Sequence, residues 1–331
     1  MKRLYSMIWI FGLMLSSLAS AQDPSAGNFT WQLKAPMQQS RSHCASVALN
    51  GKVYAIGSYV GGHDGTAGVE EYDPATNMWT QKAPISNAVW GLRAAVVNGK
   101  IYVFGGGNNP GGNGTLFSTV EEYDPAVNRW ALKSPMSEAK YNMAIAVFND
   151  KIYIIGGTAG DVAFDTIDVY DPLTDTWTTK TPMPFHRHLK YFAQLGDKVY
   201  LFGNPTYVYD IATESWSQRA APPFDNVGAP AAAAMNGKIY VFGGSYTWGN
   251  TGPVGIPDVY EYDPSTDTWS ARTPMVTGVA CLWQAASVVG NKVYVLGGQT
   301  AYPTQSTTLV QEGTLAPGDL KGRIAFVSSS E

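Results

Sequence analysis

The ten residues NGKIYVFGGG at 98–107 decide how this chain is read, because they return. NGKVYAIGSY begins at Asn50, NDKIYIIGGT at Asn149, GDKVYLFGNP at Gly196, NGKIYVFGGS at Asn236 and GNKVYVLGGQ at Gly290. Asn-Gly accepts positive φ at both central positions, as a tight hairpin between right-twisted strands requires. The Val, Ile, Phe and Tyr beside it favour a pleated surface. A glycine pair ends the second strand where a side chain would obstruct another stretch of backbone. Each copy is thus expected to be one hairpin of a repeated unit.

The flanks repeat too. An apolar run precedes each copy (AAVV at 94–97, AIAVF at 144–148, AAAAM at 231–235) and a variable loop follows it. Then comes a strand like VEEYDP at 120–125, whose Asp-Pro starts a turn because proline fixes φ and lacks a donor. A tryptophan opens a fourth strand, and Pro-Met closes the unit. Trp31, Trp79, Trp130, Trp177, Trp216 and Trp269 are spaced by 48, 51, 47, 39 and 53 residues. One four-stranded sheet leaves two apolar faces uncovered. Packing it between copies of itself covers both, and a closed ring leaves no end blade. Trp31 stands in FTWQLKAPM with no blade before it, while the last copy runs out of tryptophan after residues 309–312. Residues 28–35 are therefore expected to supply the outer strand of the last blade. Three units depart from the pattern: Gly57-Ser58 and Gly203-Asn204 replace the glycine pair, and the sixth unit lacks Tyr-Asp-Pro, leaving its third strand open to question.

The glycine pair after a hydrophobic-Tyr strand, the Glu-Tyr-Asp-Pro and the downstream Trp…Pro-Met resemble the kelch family, over nearly all of residues 28–315. The resemblance implies an all-β, six-bladed β-propeller with an N-terminal strand closing the last blade. Within that family the chain is distantly similar to the secreted sialic acid mutarotase/epimerases.

In such blades the first hairpin and the last turn share one face of the ring. The long 2–3 loops and the crossings between blades share the other, a mouth where functional residues are sought. The tryptophans outside the framework of the mature chain, Trp90, Trp248 and Trp283, all map there, with Tyr59, Tyr141, Phe185, Tyr191 and Tyr246. Exposed aromatics beside polar groups suit a sugar ring or a peptide; the alternative is that they cap the core. Arg41, Lys140 and Arg187 each follow a Pro-Met by four residues, matching a basic position of the kelch repeat, and Arg93 sits in a longer version of that loop. They either receive an anion at the mouth or pair with a carboxylate of the next blade. His43, His63, His186 and His188 also map to the mouth, but as two pairs on opposed blades, so no metal is expected. The ligand-binding set is accordingly Arg41, His43, Trp90, Arg93, Lys140, Tyr141, Arg187, His188, Trp248 and Trp283. The loop missing from blade 4 is expected to lower one side of the rim beside residues 186–191.

The favoured role is non-catalytic recognition of a glycan or a protein segment, without a cofactor. The resemblance to the epimerases opens an alternative, a carbohydrate isomerase. Opening a sugar ring needs an acid and a base within about 3 Å of the anomeric oxygens. Glu138 with His186 and Arg187 are the candidates, and Asp225 a lesser one. A third reading is a structural scaffold in the cell envelope.

Composition sets the outer limits. Lys2 and Arg3, an apolar run at 7–15 and Ala19-Ser20-Ala21 have the form of a signal peptide over residues 1–21, followed by the propeller at 22–315 and a tail of unassigned role at 316–331. The chain is thus expected to be exported, to the periplasm or the medium, without a membrane span. Loss of Lys2 and Arg3 takes the formal charge from −4 to −6, which gives nucleic acid no basic footprint. Cys44 and Cys281 allow one disulfide or two buried thiols.

Overall fold

The computed structural model describes residues 28–60, 64–108, 114–189, 191–224, 230–249, 252–276, 283–299 and 305–316. Six four-stranded antiparallel sheets follow one another along the chain. Blade 1 is Ala45–Leu49, Lys52–Val60, Asp64–Asp73 and Met78–Lys82. Blade 2 begins at Arg93–Val97, blade 3 at Ala144–Phe148, blade 4 at Phe192–Leu195 and blade 5 at Ala231–Met235. Blade 6 joins Ala285–Val289, Lys292–Leu296 and Val310–Leu315 to Phe29–Leu33. Each inner strand lies against those of its two neighbours, and blade 6 returns to blade 1, so the ring closes. Among the described residues the core divides into six apolar clusters, one at each interface between blades.

The repeated residues are the parts that join blades. Trp79 Nε1 donates to the Ala35 carbonyl at 2.9 Å, while the Ala35 amide donates to Asn77 Oδ1 at 2.9 Å. One residue of the preceding blade is thus held by both its backbone N–H and its carbonyl. Trp130 with Asn128 holds Ala83, Trp177 with Asp175 holds Ser134, and Trp269 with Asp267 holds Ala220. The same Asn or Asp accepts the hydroxyl of the buried third-strand tyrosine, as from Tyr72 and Tyr123. Left-handed φ at Asn77, Asn128, Asp175 and Asp267 explains the residue type, since Asn and Asp tolerate that conformation best after glycine. Met37, Ile85, Met136, Met183 and Met275 are buried between blades, which accounts for the Pro-Met.

Blade 6 forms its third strand without the tyrosine. Gly313 occupies that position, paired with Trp31, and a Cβ there would come within 2.8 Å of the Trp31 ring. The missing aromatic is supplied by Phe29, buried and edge-on to Tyr240 at 5.1 Å. Gln32 adds a bond of 2.6 Å to Glu312. The N-terminal strand therefore replaces a side chain of the last blade as well as adding a strand.

The Lys-x-Tyr of the hairpin has its partner on the third strand. Lys100, Tyr102 and Lys133 converge on Glu122, and Lys292, Tyr294 and Lys34 on Glu312. Glu71 and Glu261 are held alike in blades 1 and 5. Burial alone raises these four carboxyls. The hydrogen bonds and cations around them outweigh it and keep each below the ordinary value of 4.5. A depressed folded pKa contributes stability that is complete above the unfolded value and lost as pH falls through the folded one. The urea midpoint should hold level down to about pH 5 and fall below it; a midpoint still level at about pH 3 would remove these glutamates from the stability.

Candidate functional site

The mouth is assembled where crossing segments pass over the glycine pairs. Gly106 N donates to the Lys140 carbonyl at 3.0 Å, and Gly298 N to the Arg41 carbonyl at 2.8 Å. A Cβ on Gly105 or Gly297 would lie 2.3 Å from those same oxygens, so no other residue fits. In blade 1 the second glycine is Ser58, whose buried hydroxyl bonds the Ser42 carbonyl at 3.1 Å and accepts from Ser42 N at 2.9 Å.

This crossing also carries the three basic residues inward. Arg41 is fully buried, pairs with Glu70 of blade 1 at 3.0 Å and donates to the Gly57 and Gly68 carbonyls. Lys140, equally buried, pairs with Asp168 of blade 3 at 3.1 Å and bonds Thr166 Oγ1. Arg187 meets Tyr207 at the equivalent third-strand position, 5.7 Å from the ring centre, and donates to the Phe202 and Pro205 carbonyls. It fills the place of blade 4's missing loop, since a Cβ on Gly203 would strike its Nη2. Low dielectric requires a partner for a buried charge, and for Arg41 and Lys140 the third-strand residue three before the closing aspartate, Glu70 or Asp168, supplies it. All three are engaged within the blades and none lines the cavity described next.

A backbone chain runs around the mouth just before the inner strands. His43 N donates to the Trp283 carbonyl, Gly91 N to that of His43, and Asn142 N to that of Gly91, each at 3.0 Å. All four donor and acceptor residues have left-handed φ between 52° and 70°. Glycine takes this freely and Asn142 readily, whereas His43 and Trp283 are held in it by the ring. Their side chains line a cavity of about 580 Å³ over the inner strands, to which every blade contributes. His43 stacks on Trp283 at 4.5 Å and lies edge-on to Trp90 and Tyr59. Trp90 in turn packs on Tyr141 at 4.8 Å. Burial, with the nearby charge of Arg93, pulls the His43 imidazole down to about 3, so it is neutral at physiological pH. Burial also pushes the Cys44 thiol up to about 11. Cys281 lies outside the described residues.

Of the expected ligand-binding residues, His43, Arg93, Tyr141, His188 and Trp283 come together on the cavity wall. Trp90 backs them from beneath, 8% exposed, with its Nε1 lacking a partner among the described residues. The aromatics thus form one packed group rather than separate exposed rings. Phe185 is stacked on Tyr207 at 3.8 Å, away from the cavity. Trp248 stands on a strand paired with Gly252–Gly255, and its side chain lies outside the described part. His63 and Asp225 lie outside it as well.

The acid–base candidates are not brought to the cavity. Glu138 has one buried carboxylate oxygen without a partner among the described residues, but it does not line the wall. His186 is turned outward, 3.5 Å from Asp165. The described lining contains no Asp or Glu. It does contain Asn142, Gln194, Ser46 and Ser287, which residue type alone did not single out. Aligning the repeats finds Asn142, which occupies the position of His43 and Trp283.

Residues 29–204 match the KLHDC2/KLHL20/DRC7 Kelch-repeats domain and residues 228–276 the Kelch motif. With the six-bladed ring and its glycine crossings, this places the chain in the kelch-repeat family. Kelch-like protein 35 of Mus musculus is 28% identical over 307 residues, 93% of this chain but 42% of that protein. The chain thus spans about two fifths of that relative's length. The N-acetylneuraminate epimerase of Pasteurella multocida (strain Pm70) is 36% identical over 88 residues, 26% of this chain and 22% of that enzyme. The solved structure titled "Structure of YjhT" superposes with a TM-score of 0.71 at 18% identity, covering 85% of this chain and 99% of that one, a likeness of fold.

If Arg41 belongs to the fold, Arg41→Met should cost about 3–5 kcal/mol in urea unfolding, because Glu70 is left buried and unpaired. Arg41→Met with Glu70→Met should recover most of the loss. A loss in the double variant equal to the sum of the losses of Arg41→Met and Glu70→Met alone would show that the two charges are not coupled.

Proposed function

We propose that this chain is an exported recognition module that takes a glycan unit or a peptide segment into the mouth of the propeller without transforming it. The observation that carries the reading is the cavity itself. At about 580 Å³ it has the size of a small-ligand site, and it sets stacked aromatic planes, His43 on Trp283, beside the polar Asn142 and the half-buried Tyr141. Such a wall suits a ligand with one apolar face and several hydrogen-bonding groups. Membership of the kelch family supports a protein-binding module. Glycan and peptide arrays probed with the purified protein should give hits that Trp283→Ala weakens at least tenfold, the scale of one lost aromatic contact. Hits that survive this substitution unchanged would place the binding elsewhere.

The local similarity to N-acetylneuraminate epimerases favours a second reading, a carbohydrate isomerase. Against it stands a cavity wall without a carboxylate among the described residues and an imidazole held neutral. NMR of anomeric exchange decides between the two. Exchange of a bound sugar at the uncatalysed rate supports recognition, and acceleration supports the isomerase.

Export rests on the basic, apolar and Ala-x-Ala order of residues 1–21. Mass spectrometry of the protein produced from the full sequence should find Gln22 at its N terminus outside the cytoplasm. Retention of Met1 on a cytoplasmic product would sink this part.

A further inference from the structure

Arg93 differs from every other basic residue of the mouth. It opens the inner strand of blade 2 and lines the cavity. Its Nε donates to the Met143 carbonyl of blade 3 at 2.8 Å, and its Nη1 makes a longer bond of 3.3 Å to the Leu92 carbonyl. The guanidinium carbon lies 5.6 Å from the centre of the Phe192 ring of blade 4. Arg41 has Glu70 and Lys140 has Asp168, but among the described residues no Asp or Glu comes within ion-pair distance of Arg93. The titratable groups beside it supply no counter-charge. Burial keeps the Cys44 thiol protonated, and burial together with Arg93 keeps His43 neutral. Loss of hydration draws Arg93 itself down to about 10, which still leaves it charged at neutral pH. The cavity therefore contains a fixed, poorly hydrated cation whose fork of N–H groups is only partly used. A carboxylate is the planar group that such a fork matches.

We propose that Arg93 receives the carboxylate of the molecule that enters the mouth, with the His43–Trp283 stack against its uncharged part. The inference rests on the reading of the cavity as a binding site and names the chemical class of its ligand. An acidic sugar and an acidic amino-acid unit carry the same group, and either is small enough for the space.

The test uses the whole protein. The Nε–H of Arg93, sheltered by its bond to the Met143 carbonyl, is followed by ¹⁵N NMR during titration with acetate and, separately, with its uncharged isostere acetamide. Acetate should shift the resonance saturably and acetamide should not. Equal responses, or a linear acetate response matched by chloride, would overturn the proposal. Arg93→Lys should weaken acetate about tenfold and Arg93→Gln abolish its effect on the Trp283 indole. Because Arg93 ties blade 2 to blade 3, either variant could unfold, but the comparison of acetate with acetamide needs no variant. Glucuronate and N-acetylaspartate then separate the two sources, the tighter binder naming the one in use. If acetate saturates Arg93 and neither acid binds more tightly than acetate, the anion site stands while the reading of the wider cavity falls.

Discussion

A four-stranded sheet with two apolar faces has no stable existence alone, and every other feature of this protein follows from how that is resolved. Each blade covers its neighbours, and the ring returns to its start, so no face is left over. Apolar burial by itself is not directional. Direction comes from the clamp in which a tryptophan and an Asn or Asp hold the carbonyl and the N–H of one residue in the preceding blade. The clamp sets the spacing between sheets, and the Pro-Met knobs fill the wedge between them. At blade 6 the same demand is met differently. Phe29 takes the place of an absent tyrosine, so the strand that closes the ring also completes its core.

The clamps lie toward the outer strands, and the glycine crossings do the corresponding work at the mouth. By admitting the carbonyls of Arg41 and Lys140 against the blade before, the glycine pairs pull those residues below the surface. Once there, their charges need partners, and the third strand supplies Glu70 and Asp168. Two of the cations expected to face a ligand become internal ion pairs, and a third, Arg187, is taken up by the Tyr207 ring and two carbonyls. Arg93 escapes because it stands on the inner strand itself, past the crossing, where its neighbours are carbonyls, a phenyl ring, a thiol and a neutral imidazole.

Much of the fold is legible in the residues because its determinants are local and repeated. Asn-Gly or a close relative makes the same hairpin in each of the six units, and tryptophans spaced by 39 to 53 residues count the blades. The kelch resemblance and the six-bladed, N-terminally closed ring agree with the architecture and the family match. The third strand of blade 6 was harder to read, since its missing tyrosine is replaced from the other end of the chain. The site is less legible still. His43, Asn142 and Trp283 share no residue type; what they share is a left-handed position in a backbone chain that links blades. Trp90 and Trp283 look alike as surplus aromatics, yet one is buried beneath the other's stack. Glu138 and His186 fall on loops of the mouth, yet neither lines its cavity.

What the sequence by itself determined is the repeating unit, the number of its copies and the strand that completes the last, because turn chemistry and apolar periodicity act over a few residues and recur in register. Only the tertiary structure decided which charges are neutralised and which one is left facing the cavity. That depends on whether a carboxylate of a third strand lies within reach across some thirty residues of chain, as it does for Arg41 and Lys140 and does not, among the described residues, for Arg93.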